Sequence, residues 1–342
     1  MKKFALRALM LLLVIAVVVP ATLFAAGAKE AAMERHAFVF KNTGNPYGEK
    51  QMDGFKTGIE ELGFEAILRA PDLPTAEAQI QIVEQLIAQN VKSITITGND
   101  FDALEPVMKN AQRAGISVLS ADSAVNPASR LTHINQADSE MIGRTLIQAA
   151  YDMAGGAGEI AILSATSQAS NQNLWIEWMR KELEDPKYSK INLVRVAYGD
   201  DLRDKSVSET EALLRSYPNL KVIIAPTTVG IAAAGKVITD KNLIGKVKIT
   251  GLGLPSEMAE YIENGACPYM FLWNPIDVGY LSAYAAVAAS SGKITGAAGD
   301  RFDAGRLGSY EVIKASDGGT EVLLGPPFKF DFDNIAEWKN VY

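Results

Sequence analysis

The chain has 342 residues, 33 Lys and Arg against 40 Asp and Glu, and a formal net charge of -7. One cysteine (Cys267) excludes a disulfide framework and any Cys-based zinc or iron–sulfur site, and two histidines (His36 and His133) leave little room for a histidine-rich metal site. The acidic balance argues against a nucleic-acid partner, whose phosphates demand a basic face, and the length allows about two domains of ~100–200 residues.

The first 28 residues carry a positive start (Lys2, Lys3, Arg7), an apolar run over 8–19, then Pro20 and the small residues Ala25, Ala26, Gly27 and Ala28. This order predicts a secretory signal peptide cleaved after Ala25 or Ala28. The run falls short of the ~20 residues that span a membrane. No cysteine lies near the cleavage region, so the expectation is a protein free in an exported compartment and not a lipoprotein.

From there strands and helices alternate. Strands are predicted at 37–41, 65–68, 93–97, 117–119 and 131–134, with helices at 48–62, 75–89, 101–114 and 140–153. The rhythm restarts with strands at 159–163, 193–197, 222–225, 248–250 and 269–272, and helices at 171–183, 205–216, 229–239, 256–264 and 276–290. Strand–helix alternation with near-continuous apolar strands predicts an α/β protein of two doubly wound parallel-sheet domains. No Gly/Ser-rich linker separates the halves near 135–139, which suits short ordered crossings and a hinge.

In open parallel sheets ligands bind beyond the carboxyl ends of the strands. That rule selects Lys41, Asn45 and Tyr47 after the first strand, Asn99 and Asp100 after the third, and Asp122 after the fourth. In the second half it selects Asn171, Gln172, Pro226, Thr227, Thr228, Leu254, Trp273, Asn274 and Asp277. Amides, acids, one amine and aromatic faces suit a small neutral sugar or polyol, whose hydroxyls both donate and accept. Each residue has a structural alternative: Asp122 as a turn cap, Lys41 as a solvated charge, Asn171 as a helix cap, Trp273 as core. Trp175 and Trp178 read as core, and Asp200-Asp201 as a solvated turn.

Enzyme signatures are missing. There is no phosphate-binding loop, no complete dinucleotide fingerprint and no Gly-x-Ser-x-Gly elbow. His133 falls inside a predicted strand and reads as structural; no cofactor, metal or catalytic residue is expected.

Five segments carry a resemblance: 162–175 (ILSATSQASNQNLW), 198–205 (YGDDLRDK), 222–230 (VIIAPTTVG), 250–258 (TGLGLPSEM) and 272–279 (LWNPIDVG). With them the chain resembles the type I periplasmic solute-binding proteins of ABC transporters, in particular the rhamnose-binding group, sister to the autoinducer-2 receptor. The sister group's lysine and aspartate fall on Lys41 and Asp122, its Asp-Gln pair on Asn171 and Gln172, its proline on Pro226 and its alanine on Thr228. Ribose-type relatives carry an aspartate where this chain has Gly253, and their polar residue after the last strand falls on Asn274. The resemblance implies a monomer that traps a deoxy sugar, or autoinducer-2, between two domains and presents it to membrane permease subunits. It implies crossings near 135–137, 274–277 and 302–306, hence one domain of 35–136 plus 277–304 and another of 137–276 plus 305–342. A 6-deoxy sugar carries a methyl group, and Leu254, Trp273 and Tyr47 are candidates for the apolar wall.

Overall fold

The computed structural model describes residues 33–342, and the signal-peptide reading lies outside them. The first half builds a seven-stranded sheet in the order β13-β14-β5-β4-β3-β1-β2. Its strands are β1 (Arg35–Val39), β2 (Glu65–Arg69), β3 (Ser93–Ile96), β4 (Ser117–Ala121), β5 (His133–Asn135), β13 (Ile313–Lys314) and β14 (Thr320–Leu323). Every pairing is parallel except β13 with β14. The second sheet, β7-β6-β8-β9, is all parallel and consists of β6 (Gly158–Ser164), β7 (Ile191–Tyr198), β8 (Leu220–Ala225) and β9 (Lys248–Gly251). A bridge from Leu252 to Phe271 adds β10 (Tyr269–Leu272), which pairs antiparallel with β15 (Phe328–Asp331).

Burial on both faces explains the strand composition. All four residues of β3 are buried, as is β8 apart from Lys221. Such strands gain by being apolar and β-branched along their whole length. The helices are α1 (Pro46–Glu61), α2 (Ala76–Ala88), α3 (Glu105–Arg113), α4 (Ser139–Ala154), α5 (Ser170–Glu182), α6 (Arg203–Ser216), α7 (Thr228–Asp240), α8 (Pro255–Glu263) and α9 (Pro275–Ser290). Several begin at a side-chain cap. Asn45, Thr75, Asp138, Thr227 and Asn274 each accept a backbone N–H of their own helix, contributing about 1 kcal/mol apiece.

The predicted elements match closely, with two differences. Helix α3 starts at Glu105, not near 101, because Asp100 Oδ1 accepts from Asp102 N and Ala103 N and holds a turn. The region after residue 290, which has no helix–strand rhythm, forms β11 (Arg301–Asp303), β12 (Ser309–Glu311) and β13 to β15. There β14 lies beside β5, so residues 313–323 add to the first sheet, although the resemblance assigns 305–342 to the second half. Only β15 and the C-terminal residues 332–342 return to the second half, where Ser256 N donates to the Tyr342 carbonyl.

Helix α9 belongs with the first half through a close approach to α1. A Cβ built at Gly279 would lie 1.8 Å from the Gln51 carbonyl oxygen, and one at Gly54 2.0 Å from the Ile276 carbonyl oxygen. Neither neighbour is a side chain that can swing away. Replacing a helical glycine by alanine normally gains about 1 kcal/mol of helix propensity, but here overpacking against backbone wins. Gly279→Ala is expected to destabilise by about 1–3 kcal/mol, read as a lower urea midpoint. Gly325→Ala, with nothing within 4 Å of the added Cβ, serves as the neutral control.

Candidate functional site

In both sheets the strand order reverses beside the first strand of the half: at β1/β3 in one and β6/β8 in the other. Such switch points leave a crevice at the strands' carboxyl ends. Here the two crevices face one narrow cavity of about 30 Å3, room for a water or two as the halves stand, so a sugar-sized ligand needs them to part.

From the first half Phe40, Lys41, Asn45, Tyr47 and Asp122 line it; from the second come Asn171, Gln172, Trp175, Asp201, Pro226, Thr227, Thr228, Leu252, Leu272 and Trp273. Lys41 follows β1, and its position is fixed by amides from neighbouring elements. Gln79 on α2 donates to the Phe40 and Thr97 carbonyls at 3.1 and 2.8 Å and accepts from Asn99 N at 2.8 Å. Asn99 in turn donates to the Lys41 carbonyl at 2.8 Å. Asp122 follows β4 with φ of 61°, a left-handed conformation that Asp and Asn tolerate better than most residues. Helix α5 brings Asn171, Gln172 and Trp175, whose spacing places them on adjoining parts of one helix face.

The two halves meet in polar contacts across the cavity. The Lys41 ammonium donates to Asn171 Oδ1 at 3.3 Å and Gln172 Oε1 at 3.4 Å. Asn171 Nδ2 donates to Asp122 Oδ2 at 3.4 Å, and the Tyr47 hydroxyl to Asp122 Oδ1 at 3.2 Å. Trp273 Nε1 donates to the Tyr47 oxygen at 2.7 Å. The Thr227 hydroxyl donates to Asp201 and also accepts from Gly230 N at 3.4 Å, so one side chain caps α7 and orients the acid. Trp175 packs edge-on to Trp273, ring centroids 5.9 Å apart, and its indole N–H is buried with no hydrogen-bond partner. Contacts of 3.3–3.4 Å are at the long limit for such pairs, so these groups keep capacity for shorter bonds to a ligand.

Burial pushes the Asp122 carboxyl from its ordinary 3.8 to about 6. The opposing pulls are the Lys41 charge and the Tyr47 and Asn171 donors; Asp201 adds to the rise. Burial, then the Asp122 charge, raises the Tyr47 phenol well above its ordinary value, so it remains a donor. His133 lies in β5 beside the Ser120 hydroxyl, 2.8 Å from Nδ1, and burial lowers it to about 3; it is a neutral structural residue. Cys267 is buried and unpaired, its thiol pushed up by burial. Among the described residues no group of acids, histidines or cysteines is arranged to hold a metal.

Ten of the expected residues line this cavity: Lys41, Asn45, Tyr47, Asp122, Asn171, Gln172, Pro226, Thr227, Thr228 and Trp273. Five do not. Asn99 is spent on backbone of the Lys41 segment, and Asp100 on its own turn. Leu254 is the buried residue preceding α8, Asn274 caps α9, and Asp277 pairs with Arg306. Of the three candidates for the apolar wall, Tyr47 and Trp273 line the cavity and Leu254 does not, while Leu252 and Leu272 add to it. Asp201 is buried, against the expectation of a solvated turn; only Asp200 takes that role, paired with exposed Lys205. Trp175 reads as core in the sequence, yet it stands one turn beyond Asn171 and lines the cavity, and that spacing carries the signal.

The sign of the Asp122 shift gives a pH test. Between about pH 4 and pH 6 the folded chain holds a proton that the unfolded chain has released. This group's contribution to stability is therefore greatest below pH 4, falls as the pH rises through 6, and is constant above. Asp122→Asn removes that loss. The melting temperature of the variant minus that of the parent is expected to rise from about pH 4 to about pH 7; a flat difference contradicts the assignment.

The chain matches the family described as periplasmic binding protein domain over residues 36–294. It is similar to a solved ABC transporter solute-binding protein from Clostridium phytofermentas with bound L-rhamnose, at 50% identity, covering 91% of this chain and 100% of that one, with a TM-score of 0.89. LsrB from Clostridium saccharobutylicum in complex with AI-2 shares the fold at 23% identity, covering 89% of this chain and 99% of that one, with a TM-score of 0.84. The D-ribose/D-allose-binding protein of Pseudomonas aeruginosa is 27% identical over 229 residues, 64% of this chain and 70% of that protein.

Proposed function

Because the chain belongs to the periplasmic binding protein family, we propose that it captures L-rhamnose or a related deoxy sugar between its two halves and presents it to the permease of an ABC importer. It is a binding protein of the transport type and not an enzyme. The observation that carries the ligand reading is the cavity where Lys41 and Asp122, from one sheet, meet Asn171 and Gln172, from the other, beside Trp175 and Trp273. An amine, a carboxylate and amides match vicinal hydroxyls, and the indole rings and Leu252 and Leu272 match C–H faces and a methyl group. Each charged hydrogen bond contributes ~1.5–3 kcal/mol, so a few suffice for micromolar affinity.

Capture requires the halves to part. Crossings near 135–137, 274–277 and 324–327 are compatible with the strand pairings, and rotation about them would break the Trp273–Tyr47, Lys41–Asn171 and Ser123–Ser170 contacts. The neutral bonds among these add only ~0.5–1.5 kcal/mol each and the long Lys41–Asn171 bond ~1.5–3 at most, so ligand bridging both walls supplies the differential affinity that favours closure. Among the described residues no helix is long and apolar enough to cross a membrane; the receptor we propose is exported, monomeric and meets its permease as a separate partner.

Autoinducer-2 is the second reading, since Lys41, Asp122, Gln172 and Pro226 occupy the positions of that receptor's ligand residues, whereas Asn171 and Thr228 depart. Titration calorimetry separates the two. L-rhamnose is expected to bind with a micromolar or smaller Kd and autoinducer-2 weakly; the reverse order moves the assignment. Asn171→Asp is expected to shift preference toward autoinducer-2. Trp175→Phe keeps an aromatic ring but deletes the unpartnered N–H and part of a fully buried indole; its expected effects are about a tenfold weaker rhamnose Kd, ~1.4 kcal/mol, and a lowered melting temperature from the cavity left behind.

A further inference from the structure

Asp122 and Asn171 line the sugar cavity and also a second, larger one of about 750 Å3 that opens to solvent at its rim. Segments 100–103, 133–135 and 315–321 wall it on one side and 168–177 on the other. What divides the two spaces is the Asp122–Asn171 contact, long at 3.4 Å. Resting on the sugar-binding reading, we propose that the receptor also takes neutral glycosides of its sugar, with the deoxy sugar in the inner cavity and the group on its anomeric oxygen in the outer one.

The dividing pair can serve both ligand types. Asp122 is the anionic acceptor there, and the anomeric hydroxyl is the most acidic of a free sugar, so the two pair. A glycosidic oxygen has no hydrogen to give, but Asn171 can supply one. Its Oδ1 is committed to Lys41 and to Gln172 N, while its Nδ2 makes a single long bond. An amide has two N–H donors, so a donor remains for a substituted oxygen.

The outer wall also selects by charge. Asp100, Asp102, Glu177, Asp317 and Glu321 line it, and among the described residues no lysine or arginine does. Arg130 neutralises Asp317 from behind, and Asn135 donates to Glu321 at 2.8 Å without cancelling its charge. A substituent bearing a carboxylate or phosphate enters a repulsive field; a neutral second ring meets hydroxyl and amide groups of Ser139, Ser170 and Asn173 and the side chain of Leu174.

Calorimetry on the purified protein with four probes tests this: L-rhamnose, methyl α-L-rhamnoside, a neutral rhamnosyl-glucose disaccharide, and rhamnosyl-galacturonate. Both neutral glycosides are expected within about tenfold of the free sugar, and the uronate at least tenfold weaker than the neutral disaccharide at low salt. Glu177→Gln is expected to narrow that gap. Leu174→Trp, which fills the outer space, is expected to abolish disaccharide binding and leave L-rhamnose unchanged. Binding of L-rhamnose with no measurable binding of either neutral glycoside overturns the proposal alone. Equal binding of the uronate and neutral disaccharides overturns the charge selection. If neither L-rhamnose nor its glycosides bind, the sugar reading itself falls.

Discussion

An ammonium and a carboxylate, Lys41 and Asp122, are buried at the carboxyl ends of β1 and β4, two strands of one sheet with β3 between them, and no short ion pair joins them. Removing either charge from water costs several kcal/mol unless hydrogen bonds replace the lost solvation. The protein supplies only part of the replacement, through Asn171, Gln172 and Tyr47, at distances of 3.2–3.4 Å. The rise of the Asp122 pKa, caused first by burial, has the same origin. The two charges are therefore under-solvated, and on the proposed reading a polyol that completes their bonds would remove the penalty and favour closure in the same event. That constraint ties stability, closure and specificity to one set of atoms.

The scaffold around those atoms is rigid where it has to be. Gln79 uses both N–H donors and its oxygen to join the carboxyl ends of β1 and β3 at the switch point. Thr227 and Asn45 do similar work while beginning α7 and α1. Long charged side chains lose rotamer entropy when a ligand fixes them; holding the Lys41 backbone in advance leaves less to lose. The polar contacts between the halves at the cavity are, by contrast, mostly long, with the 2.7 Å Trp273–Tyr47 and 2.8 Å Ser170–Ala124 bonds as the exceptions.

Much of this was legible in the sequence because both levels obey short-range rules. Strand and helix periods gave nearly every element up to Ser290, and the rule that ligands gather at strand ends gave most of the cavity. What failed shares one cause. A polar residue after a strand either faces a ligand or terminates local backbone, and the residue type alone does not say which. Asn99, Asp100 and Asn274 bond to backbone, whereas Asn45 and Thr227 both cap a helix and line the cavity. The pairing of β14 with β5 escaped the sequence for a different reason: β13 and β14 are short, half-exposed and separated by a turn, and strands of that kind lack the apolar run that marks a central one.

Asp201 shows how a nearest-neighbour pattern misleads. Asp200 and Asp201 are adjacent, both with left-handed backbone (φ of 56° and 53°), and look equivalent as a polar turn. Two successive left-handed residues rotate the chain so that one acid reaches outward to Lys205 and the other inward to Thr227. The inward acid raises the pKa of Asp122 across the cavity, so two carboxylates and one ammonium share the space. Such a set repels an anionic ligand and still offers acceptors to hydroxyl donors. The proposed preference for an uncharged polyol thus rests on the balance of the whole cavity and not on any single residue in it.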